Sequence, residues 1–325
     1  MDMNTILLTG SSGYIGRALA PRLKAKGWKV IGLDRRPAPA AALDGFIHGD
    51  LREPSCLERI PAGIDAVFHL AAAKDDWGLS DEEYFDDNVN ATRKLLAAGA
   101  AREVKNWLFF SSVAVLGPSA VPLSEAAPLA PQGAYGESKS EGEKLFHGLA
   151  ANHPSMRVTI VRPSVVFGAG NPPNTNVYRL IDALYRNRFV MVGKGEAIKT
   201  TSYIENLIAA TVFLVERMAP GVQTFIYVDE PKFSTADMVR EICALLEKPE
   251  PRWNLPLGIA APLAHLADVA ALLARRDLPI TAARIKKFCR PTNFDAAKLR
   301  ALEWRQPVSM KEALRRSVEW YLQAR

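Results

Sequence analysis

Short apolar runs alternate with helical patterns through the first half of the chain. Thr5–Thr9 (TILLT), Lys29–Asp34 (KVIGLD), Phe46–Asp50 (FIHGD), Asp65–Ala72 (DAVFHLAA), Asn106–Ser112 (NWLFFSS) and Arg157–Pro163 (RVTIVRP) read as strands. Most are apolar throughout rather than at every second position, the pattern of parallel strands covered on both faces. Between them, Tyr14–Lys26, closed by Gly27, and Asp81–Ala101 carry helical periodicity. Strand and helix in alternation predict an α/β fold, a Rossmann-type doubly wound parallel sheet. After Phe167 the rhythm changes to an Asn- and Pro-rich loop, GAGNPPNTN, and longer helices. The sequence therefore divides into a Rossmann domain at 1–166 and a smaller, mostly helical C-terminal substrate lobe at 167–199 and 231–325. Residues 200–230 return to the Rossmann domain through a strand at Thr224–Asp229. No internal repeat is present.

Composition narrows the class. The chain has 325 residues, 48% hydrophobic and 23% charged, as expected of a globular protein with a large core. The formal net charge of +6 would mildly attract an anionic ligand, but Lys and Arg are spread along the chain rather than blocked, so no nucleic-acid partner is expected. Cys56, Cys243 and Cys289 are odd in number and lack C-x-x-C spacing. Neither a disulfide framework nor a metal site is expected, and a reducing compartment follows. The start, MDMNTILLTG, has no basic n-region, so a cytoplasmic location is expected. The weakly polar stretch Leu255–Arg276 is interrupted by Pro256, Pro262, His265 and Asp268. It reads as a helix closing over a pocket rather than a membrane span.

The first chemistry-bearing motif is ILLTGSSGYIGRALA. Gly10, Gly13 and Gly16 follow a strand and open a helix, where glycines let the backbone approach a pyrophosphate and the helix start receives its charge. Asp34 ends the second strand, 18 residues after Gly16, where a carboxylate can accept hydrogen bonds from the hydroxyls of an adenosine ribose. That acid favours NAD over NADP, although Arg35 and Arg36 beside it could receive a 2′-phosphate. The second motif is YGESK. Tyr135 and Lys139 lie four residues apart, so on a helix the ammonium sits near the phenol. The spacing suits a surface pair as well as a proton-handling centre.

With TGSSGYIG, HGDL, VFHLAA, NVNATRKLL, FFSSVAVLG, YGESK and RPSVVFG in this order from Ile6 to about Trp304, the chain resembles the extended short-chain dehydrogenase/reductase family, the NAD-dependent epimerase/dehydratase group. The resemblance implies cofactor contacts at Gly10, Gly13, Tyr14, Ile15, Gly16, Asp34, Asp50, Leu51, Leu70, Ala71, Ala72, Lys139 and Pro163, with Asn88 supporting the site. Each of several has a plainer reading: Asp50 as a turn residue, the alanines as tight packing, Asn88 as a helix cap. The resemblance also implies a catalytic trio of Ser112, Tyr135 and Lys139, with Ser111 as the fallback for Ser112. Lys139 would then lower the Tyr135 pKa from its reference near 10, and Tyr135 would take the proton of a substrate hydroxyl.

Family members that dehydrate or decarboxylate sugars generally carry an acid just after that Ser, where this sequence has Val113 and Ala114. What remains is a nucleotide-sugar 4-epimerase or a 4-reductase/dehydrogenase. Candidate substrate contacts are Val113, Lys199, Arg284 and Arg290. Thr201 stands near the place of the Arg that many relatives use on a diphosphate, and Leu116 replaces a common Tyr. A second reading is a dehydrogenase of a hydroxysteroid-like or other apolar alcohol; a third is a dinucleotide sensor without turnover. A homodimer paired through Asp81–Ala101 and Tyr135–Ala151 is what the resemblance implies.

Overall fold

Residues 4–38, 43–74, 79–251, 254–256, 258 and 290–325 are described by a computed structural model. Arg284, Cys289 and most of the Leu255–Arg276 stretch lie outside these residues. Seven parallel strands form the main sheet in the order Gly221–Tyr227, Arg157–Pro163, Asn106–Phe110, Ala66–His69, Thr5–Thr9, Lys29–Asp34 and Gly45–His48. Neighbouring residues alternate between two buried clusters. Ile6, Leu8, Phe68, Leu108 and Phe110 enter one, while Leu7, Val67, Trp107 and Phe109 enter the other. Strands with apolar side chains on both faces need helices on both faces, and the sequence supplies them.

The helix Tyr14–Ala25 buries Leu19, Ala20 and Leu23 on the first face. On the second, Ala91–Ala100 buries Leu95 and Leu96, and Ala134–Asn152 buries Phe146 and Ala150. Two glycines control how closely these last two approach the sheet. A Cβ at Gly99 would lie 2.4 Å from the Trp107 ring, and one at Gly142 would lie 2.8 Å from Phe109 Cζ. Gly142 thus seats the helix that carries Tyr135 and Lys139 directly on the strand that leads to Ser112.

Asp81–Ala101 departs from the single α-helix predicted. Ser80 and Glu83 form a reciprocal cap, an α-helical turn runs Asp81–Phe85, a π-helical turn occupies Asp86–Asn90, and α-helix resumes at Ala91. Hydrophobic periodicity averages over such a local widening and does not register it. A smaller four-stranded sheet joins Phe233–Ser234, Ile198–Lys199, Thr292–Phe294 and Ser119–Leu123. The first buried cluster continues from the main sheet into residues of this region, including Leu180, Met238, Phe294 and Leu314.

Chain order reverses at the first strand: the second and third strands lie to one side of Thr5–Thr9, and the remaining four to the other. The crevice beyond the carboxyl ends of Thr5–Thr9 and Ala66–His69 is therefore the switch point at which such sheets bind ligands.

Candidate active site

Gly10 turns out of the first strand with φ of 68°, a backbone region that favours glycine. Its missing side chain matters as well, since a Cβ there would lie 2.7 Å from the Ala71 nitrogen and 2.8 Å from the Leu70 carbonyl carbon. At Gly16 a Cβ would fall 2.2 Å from the Gly10 oxygen. The loop is packed as tightly as a backbone allows. Gly13 begins the helix Tyr14–Ala25 with no side chain capping its N–H groups. A glycine cradle followed by an uncapped helix start fits a pyrophosphate. Asp34, buried at the end of the second strand, accepts from the backbone N–H of Ser12 (2.9 Å) and of Arg36 (2.9 Å). Its carboxylate is held in place at the edge of this loop.

The other expected cofactor residues divide. Leu70, Ala71 and Ala72 line the opposite lip of the crevice, half-buried. Pro163 is buried at the end of its strand beside Tyr227. The Tyr14 ring faces the Gly168–Gly170 turn, and burial raises its phenol pKa. Asp50 is engaged by Arg52, accepting from its backbone N–H (2.9 Å) and from Nη2 (2.7 Å), and Leu51 is buried in the second core cluster. The turn role of Asp50 is thus present, with Arg52 holding its carboxyl below the usual range.

Asn88 does not cap a helix. From the π turn its Oδ1 accepts from the Ala73 N–H (2.7 Å), while Nδ2 donates to the Ala73 carbonyl (3.0 Å) and to Ser138 Oγ (2.9 Å). Ser138 in turn donates to the Tyr135 carbonyl (2.9 Å). Sequence reasoning gave no role to His69, within VFHLAA. His69 Nδ1 lies 2.7 Å from Thr9 Oγ1, and Nε2 lies 2.8 Å from Thr92 Oγ1. Because Thr92 donates to the Asn88 carbonyl, its oxygen accepts from Nε2–H, and Nδ1 is left to accept from Thr9. Burial pushes the His69 pKa down to about 3, so the ring is neutral. The first strand is thereby tied through Thr9, His69, Thr92, Asn88 and Ser138 to the backbone of Tyr135. A histidine within an otherwise apolar strand was the available signal.

Ser112 and Ser111 have separate partners. Ser111 is buried and donates to Glu143 Oε1 (2.5 Å), so its hydroxyl is committed inside the core. Ser112 is half-buried at the head of the turn Val113–Leu116, its Oγ accepting from the Ala114 N–H (3.1 Å). That turn abuts the start of the helix Ala134–Asn152, where a Cβ at Gly136 would lie 2.9 Å from the Ala114 oxygen. Tyr135, half-buried in the first turn of this helix, stands edge-on to Tyr84 with ring centroids 6.3 Å apart.

Lys139 follows one turn later and is only 3% exposed. Its Nζ donates to the Phe110 carbonyl (2.8 Å) and lies 5.0 Å from the Phe109 ring centroid. Burial pushes its pKa down to about 7, and Glu143, one turn further along, acts in the opposite direction. Unfolding returns Lys139 from about 7 towards 10.5, so between these values the unfolded chain binds the extra proton. Stability from this residue should therefore be lowest below pH 7 and rise as pH climbs towards 10.5. Urea midpoints at a series of pH values check this: Lys139→Met should flatten the rise.

Of the expected substrate contacts, Lys199 and Arg290 come together: Lys199 Nζ donates to the Arg290 carbonyl, and Arg290 Nη1 donates to Gln132 Oε1 (2.6 Å) just before the helix of Tyr135. Thr201 is buried, its hydroxyl 3.8 Å from Met310 Sδ. Val113 is buried against the core, and Arg284 lies outside the described residues.

A doubly wound sheet with a glycine cradle and acid at its switch point defines a Rossmann-type dinucleotide-binding protein. The sequence profile of the NAD dependent epimerase/dehydratase family matches residues 6–228, and the chain belongs to that family. It is thus an NAD-dependent enzyme of the epimerase and oxidoreductase kind. It is 31% identical over 318 residues to the N-acetyl-alpha-D-glucosaminyl-diphospho-ditrans,octacis-undecaprenol 4-epimerase of Escherichia coli O157:H7, covering 98% of this chain and 95% of the relative. With the UDP-glucose 4-epimerase of Vibrio cholerae it shares 28% identity over 98% of this chain and 96% of that one. The fold matches the crystal structure of UDP-glucuronic acid 4-epimerase from Bacillus cereus in complex with NAD, at a TM-score of 0.79 and 22% identity, covering 98% and 99% of the two chains.

Proposed function

We propose that the chain is an NAD-dependent 4-epimerase or 4-reductase of a sugar carried on a diphosphate, a nucleotide sugar in the first instance. The observation that carries this reading is the placement of Lys139, buried one helical turn from Tyr135 and bonded to the Phe110 carbonyl, at the end of the strand that leads to Ser112. Bound NAD supplies a hydride acceptor. The glycine loop and helix start hold its pyrophosphate, and Asp34 its adenosine ribose. Ser112 Oγ orients the substrate hydroxyl at the reacting carbon, and Tyr135 accepts that hydroxyl's proton. A charged Lys139 favours the phenolate that does so. Once the carbon is a ketone, Tyr135 returns the proton when the carbonyl is reduced again, from either face.

Two 4-epimerases among the relatives support this reading, one on UDP-glucose and one on a sugar diphosphate carried by a polyprenol. The second relative, with the higher identity, favours a lipid carrier as the alternative. We further propose a cytoplasmic homodimer paired through the helices at 81–101 and 134–152; the free, buried Cys56 and Cys243 suit that compartment.

Val113 and Ala114 stand beside Ser112, where relatives that eliminate water generally carry an acid. Incubation with NAD and UDP- or polyprenyl-diphosphate sugars should give an epimer without accumulated NADH, or a keto sugar with equivalent NADH. Mass spectrometry checks this, and a product lighter by 18 mass units, the mass of water, would refute it.

A further inference from the structure

Beyond Asp34, a second acid, Asp87, engages the arginine next to it. Arg35, the residue that could otherwise receive a 2′-phosphate, points its Nη1 to Asp87 Oδ2 at 3.0 Å. The other oxygen of Asp87 takes Arg52 Nη1, also at 3.0 Å, and Arg52 reaches Asp50 (2.7 Å) and Asp86 (3.3 Å) as well. Arg36 is turned onto Asp34, Nε to Oδ1 at 3.5 Å. Three guanidiniums thus stand among four carboxylates, each arginine with an acidic partner. The side chain of Asp87 is 10% exposed and that of Arg35 54%, so the acceptor is fixed in the fold and the cation is the adaptable partner. The Arg35 backbone is also held, its carbonyl lying 3.0 Å from His48 Nε2, so only the side chain can change partner.

We infer that Asp87 is a cofactor-selectivity residue: it occupies Arg35, which would otherwise bind a 2′-phosphate, and thereby adds to the preference for NAD that Asp34 sets. An exposed Arg–carboxylate pair contributes little to stability, so the consequence of this one lies in what Arg35 is prevented from doing. The inference rests on the dinucleotide site proposed above.

Calorimetric titration of NADH and NADPH separates the two claims. The unmodified protein should bind NADH more tightly than NADPH; binding of neither would overturn the site and this inference together. In Asp87→Asn, NADPH affinity should rise about tenfold, the worth of one charge-assisted hydrogen bond to phosphate, with NADH affinity held within about twofold. Adding Arg35→Ala to Asp87→Asn should abolish the gain. Arg35→Ala alone should leave NADPH binding unchanged, because Asp87 already holds that guanidinium; this variant serves even if Asp87→Asn folds poorly. With NADH binding intact, an unchanged NADPH to NADH ratio in Asp87→Asn would overturn the role of Asp87. So would a gain that survives loss of Arg35, or a loss of NADPH affinity in Arg35→Ala alone.

Discussion

Tyr135→Phe should lose about 10²- to 10⁴-fold in turnover, the usual contribution of a positioned acid–base group, while binding NADH as the unmodified protein does. The substitution removes one oxygen and little else. The ring keeps its edge contact with Tyr84, the backbone carbonyl keeps its bond from Ser138, and Lys139 keeps its bond to Phe110. A fall in the rate constant at unchanged cofactor affinity therefore reports the phenol alone. Lys139→Met is the necessary contrast, because the resemblance implies a cofactor contact at Lys139 as well as an ammonium beside the phenol, so both parameters should fall. Steady-state rates with a turned-over sugar, alongside cofactor titration, distinguish the two. A Tyr135→Phe enzyme at full rate would remove Tyr135 from proton transfer.

What makes this expectation specific was only partly legible in the chain. The strands were legible because parallel strands buried on both faces write themselves as unbroken apolar runs. Five of the six runs end within a residue or two of the observed strands, and Asp65–Ala72 overshoots because Leu70–Ala72 line the crevice. The glycine loop was legible because backbone proximity excludes every other residue at Gly10 and Gly16. Asn88 was placed near the site but not given its work. Its three hydrogen bonds depend on the π turn, and a widening of one helical turn leaves no mark on a hydrophobic pattern. His69 and Glu143 were missed for a related reason. Each is a polar residue whose partners lie far along the chain: Thr9 and Thr92 for the first, Ser111 and Arg162 for the second. Only folding brings such partners into reach. The two adjacent serines illustrate the point, since just past the strand Asn106–Phe110 they take different partners. One donates to Glu143 inside the core, and the other accepts from the Ala114 N–H at the head of the next turn.

The core network behind Lys139 should be as sensitive as the site itself. Glu143 is 1% exposed and takes Arg162 through two bonds, Nε to Oε1 at 2.8 Å and Nη2 to Oε2 at 2.6 Å, while Ser111 donates to the same carboxylate. Replacing Glu143 with Met would leave the Arg162 guanidinium buried without its counter-charge, and breaking a buried pair from one side costs roughly 3–5 kcal/mol. Arg162 has no reserve partner to fall back on, since among the described residues its Nη1 already lacks one. Removing both charges, as Glu143→Met with Arg162→Met, removes that desolvated cation and should recover most of the loss. Lys139 adds a second readout. Glu143 raises its pKa against the pull of burial, so in the double variant the ammonium should lose its proton at lower pH than in the parent protein. Urea unfolding of the two variants and the parent checks the stability claim, and a Glu143→Met midpoint matching the parent would show that the pair contributes nothing net. If the double variant is stable yet its activity fades at lower pH than the parent's, this ion pair sets the charge on the lysine beside Tyr135.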